Sequence, residues 1–455
     1  VNPPARAVAG GEIASAASAE PDTPSLRARL LRSRVARNAG ALYGVQLAGF
    51  VLPLLTIPYL ARVLGVNGWG QVLFAQSFAA WLTLVVEYGF TLSATRAVAQ
   101  APRDGGRVAC IVAGVVSAKL VLSLVAAAVV GVAALSVPAF RANPQYLLWA
   151  GLVAVVQGLS PLWYFQGVER MRAAAAAEVL ARVAAALGVF VWVRAPEDGW
   201  RVLALQATTA AVWVAFTTWV MLRETGPVRP GPRAAARALR EGAPLFFFRG
   251  ASGVYTSSNA FLLGLFAAPQ VVGYFGGADR IVRALVSLLL PVSQALYPRA
   301  SYLASTDEAR ANRLVRSSVY AVAGLALAGA VGVAVLAPQV VRTLLGPEYL
   351  PAVPIFRGLV FVVPLIALGT VMGMQWALPR GHDRILYTLV GGAAVLNVAG
   401  TLLFAPRFGA AGMTGAILAA EAFVALGLLS FSMRMDGGAL WRGALGSLRS
   451  RAVRS

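Results

Sequence analysis

Charge, cysteine, histidine and lysine are all scarce in this chain of 455 residues. Each scarcity closes off a class of protein. One cysteine, Cys110, has no partner for an intramolecular disulfide and cannot build a thiolate metal cluster. One histidine, His382, excludes His-cluster metal chemistry and any Ser/His catalytic pair not built on it. Charged residues make up 13% of the chain, against about 25% in ordinary globular proteins. Hydrophobic residues reach 58%. A soluble protein of this size could not cover its surface with so few charges, so an ordinary cytosolic enzyme and a disordered scaffold are both excluded. No Walker A sequence occurs, which removes ATP as the energy source, and no motif calls for a cofactor or a metal.

What the chain has instead is long apolar runs. A membrane crossing needs about 20 mostly apolar residues. Twelve such spans are predicted, at 38–61, 70–92, 109–135, 147–166, 174–193, 201–222, 244–266, 275–297, 315–344, 355–377, 385–405 and 411–433. Backbone groups in hydrocarbon must bond within their own segment, and the alternating pattern of a barrel is absent, so these are helices. The fold class is therefore all-α and integral to the lipid bilayer: twelve transmembrane helices in two six-helix bundles around a central cavity.

The net charge of +21 follows from that topology. All basic residues but Lys119 are arginine. With the N-terminus inside, 27 basic residues fall in the arm, inner loops and tail and only 5 in outer loops. That asymmetry predicts both termini inside and an even span count, and it explains the charge without nucleic acid as a partner. The chain divides into a flexible basic arm (1–37), a six-helix bundle (38–222), a linker (223–243) rich in Pro, Gly and Arg, a second bundle (244–433) and a basic tail (434–455). Equal halves of even span number imply a parallel internal repeat. Trp69-Gly70 at the start of span two and Gly273-Tyr274 at the start of span eight echo it.

Several segments resemble a known family. They are PLLTIPYLARVLG (53–65), VEYGFTLSATR (86–96), PLWYFQGVERMR (161–172), REGAPLFF (240–247), YTSSNAFLLGLF (255–266), VGYFGGADRIVRALVSLLLPVSQALYPR (272–299) and LLGPEYLPAVPIFR (344–357). In this order they are similar to the Wzx-type oligosaccharide flippases of the multidrug/oligosaccharidyl-lipid/polysaccharide exporter superfamily. The resemblance implies a transporter, not an enzyme. Its implied cargo is an undecaprenyl-pyrophosphate-linked oligosaccharide repeat unit, moved across a bacterial cytoplasmic (inner) membrane for O-antigen or exopolysaccharide synthesis. A polysaccharide polymerase and a chain-length regulator are the implied protein partners. Asp279-Arg280 keeps the family's charge pattern, whereas Arg249 departs from a small or neutral residue.

A charge inside a span costs roughly 2.5–3.5 kcal/mol on insertion scales, so each one is a functional candidate. Arginine suits a phosphate because its planar fork binds two oxygens at once. Arg249, Arg280, Arg283 and Lys119 are the candidate substrate cations, with Asn259 and Gln46 as uncharged contacts. Glu421, Asp279, Glu178 and Arg182 are candidates for ion coupling or charge pairing. Asp279 with Arg283 and Glu178 with Arg182 stand four apart on one helix face, the spacing of an internal pair. Glu87 reads as an interfacial anchor or a partner for Arg96. Trp163, Tyr164 and Phe165 read as an aromatic belt, and His382 as a solvated loop residue. The competing readings are an ion-coupled multidrug or cation antiporter of the same superfamily and a membrane polysaccharide polymerase. The first would want acidic residues in the cavity, and the second would want larger outer loops.

Overall fold

A computed structural model describes residues 26–101, 105–226, 229, 231–435 and 440, with side chains from residue 51 onward apart from a few short gaps. The described residues are predominantly helical and contain no strand. Nine stretches among them are long and apolar enough to cross a membrane. Two of these fold back on themselves. The helix Leu26–Glu87 is interrupted at Gly65, with φ 61°. Leu60 and Trp69, Thr56 and Gln76, and Pro53 and Ala80, placed about evenly on either side of Gly65, line one cavity, so the chain reverses there. Asp383–Met435 is interrupted at Gly409, with φ 55°. On either side of that break Gly412 packs on Phe404, Gly400 on Ala416, Gly392 on Phe423 and Gly427 on Leu389, which is the register of an antiparallel hairpin. A left-handed residue lets a helix reverse within one or two positions, and only glycine takes that conformation without steric cost.

Counting each folded stretch as two crossings gives eleven, and Pro232–Ser257 with Asn259–Gly264, which is not among the nine, lies at the place of the seventh predicted span. Spans four and eight are broken where the sequence reads them as continuous, and the ninth is broken near Pro338, where its length suggests an exit from the membrane. Span four stops at Gly158 and resumes as Leu162–Gly167, because Pro161 cannot continue the ladder. Span eight is split at Leu288, between Pro269–Ser287 and Leu289–Thr306. The ninth ends at Val335, and Ala337–Leu344 forms a separate short helix around Pro338. Pro53, Pro58 and Pro244, by contrast, stay inside helices. Pro232–Ser257 runs unbroken from the linker into span seven.

The two halves meet most closely at the arginine-poor end. There span two lies against span eight with backbone almost touching backbone. A Cβ added to Gly70 would sit 1.9 Å from the carbonyl oxygen of Pro269, and one on Gly273 would sit 2.2 Å from that of Val66. The two glycines of the repeat echo are therefore the two that face each other across the seam. Tyr349 caps the same end, its hydroxyl donating to the carbonyls of Ala61 (3.4 Å) and Gly65 (3.3 Å). Arg62 donates to the carbonyl of Thr343 alongside. Below this lies an aromatic box: Phe74 and Phe78 of span two each pack on Phe140 and Phe261, with ring centroids 4.9–5.2 Å apart. It welds span two to an outer helix of its own half and to span seven of the other.

The arginine-rich end corrects two expectations. Trp163, Tyr164 and Phe165 are not a belt but core: all are at most 3% exposed and pack with Phe90, Val112 and Met221. Exposed Trp219, with Arg223 stacked 3.9 Å over its ring, is a better marker of the membrane boundary there. His382 packs against Trp376 (5.3 Å) and Phe431 (5.5 Å) rather than standing in solvent.

Candidate functional site

A cavity of about 560 Å³ opens inside the N-terminal half. Spans one to six all contribute to its wall, and the C-terminal half supplies one residue, Arg280. The central cavity is thus offset from the seam into the first bundle. A second cavity of about 330 Å³ lies at the seam itself, between spans one, two, seven and eight. Gly49, Pro53, Gln76, Ala80 and Arg280 border both.

Three cations reach the larger cavity, each held in a different way. Lys119 is 2% exposed, and its ammonium donates to the carbonyl of Ser160 at 2.8 Å. That carbonyl is available because span four breaks at Ser160-Pro161, and a helix end leaves its last carbonyls without partners in the ladder. Glu87, on the same cavity wall, acts on the ammonium electrostatically. Arg182 bonds Glu178 on the next turn, 2.6 Å from Nη2 and 3.2 Å from Nε to the same oxygen. The pair read from the sequence is present, and it faces the cavity. The other Glu178 oxygen is buried and accepts no hydrogen bond from the protein. Arg280 extends from span eight, donates to the Gln76 side chain and lies 5.5 Å from the centre of the Trp69 ring.

The wall also carries Thr56, Thr83, Gln157, Gln206 and Thr209. Thr56 satisfies its own hydroxyl on the carbonyl of Leu52 at 3.1 Å. Gln157 and Gln206 are polar side chains in apolar spans, a signal present in the sequence that a search led by charge passes over.

In the seam cavity, Asn259 is 2% exposed and neither its amide nitrogen nor its oxygen has a protein partner. Asp279 and Arg283 pair at 2.6 Å, as their spacing implied. Glu421 of span twelve acts electrostatically on Arg283, so the cation it lacked within its own span comes from span eight. Gln375 and Asn397 are fully buried and line neither cavity. The side chains of Gln46 and Arg249 lie outside the described residues.

Lys119, Arg182 and Arg280 face Glu87 and Glu178 around the larger cavity, which leaves it net positive. Removed from bulk water, such a surface attracts anions and repels cations. Its threonines and glutamines can bond hydroxyl-rich groups.

Comparison with known proteins gives a consistent picture. The profile of the polysaccharide biosynthesis protein family matches residues 35–304. A "Putative O-antigen transporter" of Escherichia coli (strain K12) is 28% identical over 398 residues, covering 87% of this chain and 96% of the relative. One of the same description from Shigella dysenteriae is 26% identical, covering 86% and 98%. Among solved structures, the lipid II flippase MurJ in its inward closed conformation superposes with a TM-score of 0.66 at 13% identity, covering 88% of each chain. The crystal structure of MATE in complex with MaL6 superposes with a TM-score of 0.52 at 16% identity, covering 89% of this chain and 96% of the other.

Proposed function

Because this chain belongs to the polysaccharide biosynthesis protein family, we propose that it is a flippase, a transporter and not an enzyme, for a lipid-linked oligosaccharide. The specific cargo is an undecaprenyl-pyrophosphate-linked repeat unit for O-antigen or exopolysaccharide synthesis. It crosses a bacterial cytoplasmic membrane from the inner to the outer leaflet, with both termini of the protein on the cytoplasmic side. A polysaccharide polymerase and a chain-length regulator are the partners such a product would meet.

The observation that carries this reading is the positive cavity. A pyrophosphate and a sugar chain must pass a layer that rejects both. Lys119, Arg182 and Arg280 offset the phosphate charge, and arginine does so through paired hydrogen bonds. The threonines and glutamines of the wall replace water around the sugar. The undecaprenyl tail stays in lipid, where it costs nothing. The contacts of Gly70, Gly273 and Tyr349 at the arginine-poor end support a cavity reached from the arginine-rich side, the cytoplasmic one in this reading. Transport proceeds by alternating access, one six-helix bundle rocking on the other about the seam. Arg280, rooted in one bundle and bonded to Gln76 in the other, is placed to report cargo to both. The antiporter reading is disfavoured by the same charge balance, since a cationic drug would meet a net positive wall.

The test is leaflet translocation of a fluorescent undecaprenyl-pyrophosphate oligosaccharide in proteoliposomes. The wild-type chain is expected to move it and not a cationic dye. Arg280→Ala removes a charge-assisted bond of roughly 1.5–3 kcal/mol and should slow transfer about 10- to 100-fold at unchanged abundance. A normal rate in that variant removes Arg280 from the path, and no lipid transfer by the wild type rejects the flippase.

A further inference from the structure

The large cavity is bordered by a donor with nothing to bond. Trp69 lines it and is 1% exposed, and its indole nitrogen has no hydrogen-bond partner. An indole N–H can only donate, and a buried one ordinarily finds an acceptor, because an unpaired donor has given up water for nothing. Trp69 also stands beside a cation. The Arg280 guanidinium lies 5.5 Å from the centre of its ring and donates to Gln76. Trp69 and Gln76 are seven apart on span two, about two helical turns, and so share one face. Arg280 comes to that face from span eight and touches both. Gln76 is its hydrogen-bond partner among the described residues, which leaves most of its guanidinium N–H donors to spare. The carboxylate next in sequence, Asp279, is taken by Arg283 at 2.6 Å. What this corner offers is therefore positive charge and donors. A sugar hydroxyl brings a proton of its own to such a place. Phosphoryl oxygens bring negative charge and accept from several donors at once.

We infer that Trp69 is a binding residue for the cargo pyrophosphate, its indole N–H donating to a phosphoryl oxygen that the Arg280 guanidinium also holds. This rests on the flippase reading and deepens it, by naming the place in the cavity where the phosphate stops. Lys119 and Arg182 supply the cavity's general attraction for anions, and the Trp69–Arg280 corner supplies the fixed contact. Arg280 borders both cavities, and its long side chain can turn off the ring to admit the oxygen while the two helices keep their places. The phosphate then bridges the halves, since Trp69 belongs to span two and Arg280 to span eight. The bridge stands next to the tightest part of the seam. Gly70 follows Trp69 and packs on the carbonyl of Pro269, the first residue of the helix Pro269–Ser287 that carries Arg280. Cargo held there ties together the two helices whose ends meet at the arginine-poor side.

The test uses the full-length chain with benzothienylalanine in place of Trp69, introduced by stop-codon suppression. That side chain keeps the shape of the ring and has sulfur where the N–H stands. Affinity for undecaprenyl pyrophosphate is measured in phosphatidylcholine nanodiscs, beside undecaprenol, which lacks the phosphates. The replacement should weaken pyrophosphate binding about 10-fold and leave undecaprenol binding and the lipid-free melting temperature as they are. In an Arg280→Ala background it should add little, because both groups hold the same phosphate. The same replacement at Trp219, exposed under Arg223 and lining neither cavity, should change nothing. Undiminished pyrophosphate binding by the Trp69 replacement would overturn the inference and leave the flippase intact. An equal loss for undecaprenol would assign Trp69 to packing and overturn it too. Phosphatidylglycerol that displaces the pyrophosphate from wild type at equal concentration would assign the corner to ordinary lipid headgroups, with the same consequence. Wild type that binds no undecaprenyl pyrophosphate rejects the flippase reading, and this inference with it.

Discussion

Replacing Gly273 by alanine should open the arginine-poor end of the transporter, which is the outer end in the proposed topology. A Cβ at that position would lie 2.2 Å from the Val66 carbonyl oxygen and 3.0 Å from a Val66 methyl. An ordinary contact needs about 3.4 Å or more, so spans two and eight must separate by about 1 Å. The obstacle is backbone, which cannot rotate away as a side chain would. Overpacking of this kind costs roughly 1–3 kcal/mol. That cost falls only on the state in which the two helices touch. The balance between closed and open outer ends should then shift toward open by about 5- to 150-fold. To read it, a cysteine replaces Gln206 on the cavity wall in a Cys110→Ser background, and cells are treated with a membrane-impermeant thiol reagent. Gly273→Ala should raise the labelling rate from outside and lower net translocation, since the return to the inward state is disfavoured. Gly329→Ala is the control: a Cβ there meets nothing within 4 Å and should change neither. Unchanged labelling in a folded Gly273→Ala protein would show that the seam is not the outer gate.

Two further outcomes follow from the same end of the molecule. Phe140→Ala removes the ring shared by Phe74 and Phe78 and should destabilise the protein by about 3–5 kcal/mol, measured as a lower melting temperature in detergent. Tyr349→Phe keeps the packing and loses only the hydroxyl donated to Ala61 and Gly65, so it should cost about 0.5–1.5 kcal/mol in melting while raising outside labelling severalfold.

Much of this architecture is legible in the order of the residues alone. Apolar runs of fixed length mark the crossings because hydrocarbon thickness fixes how long a helix must be. Gly65 and Gly409 sit in the short links 62–69 and 406–410 between two apolar runs, and each turns the chain. Pairs such as Glu178–Arg182 and Asp279–Arg283 are legible because helix geometry brings i and i+4 together. What hydropathy does not encode is the rotation of each helix about its own axis. The cavity therefore lies in an unforeseen place, inside the first bundle, and Arg280 meets Gln76 from 204 positions away. Lys119 depends on a carbonyl exposed by the Ser160-Pro161 break; the proline marks the break, but not which side chain meets the freed carbonyl. The Trp163–Phe165 cluster misleads because an aromatic run at a span end looks the same whether it faces lipid headgroups or a neighbouring helix.

Photo-crosslinking from the cavity wall tests the central claim most directly. A benzophenone side chain in place of Gln206 or Thr209, both facing the large cavity, is activated in membranes that are making the polymer. The expected product is an adduct with the lipid-linked oligosaccharide, diminished in an Arg280→Ala background. Adducts with phospholipid alone, equal in both backgrounds, would contradict a cargo path through this cavity.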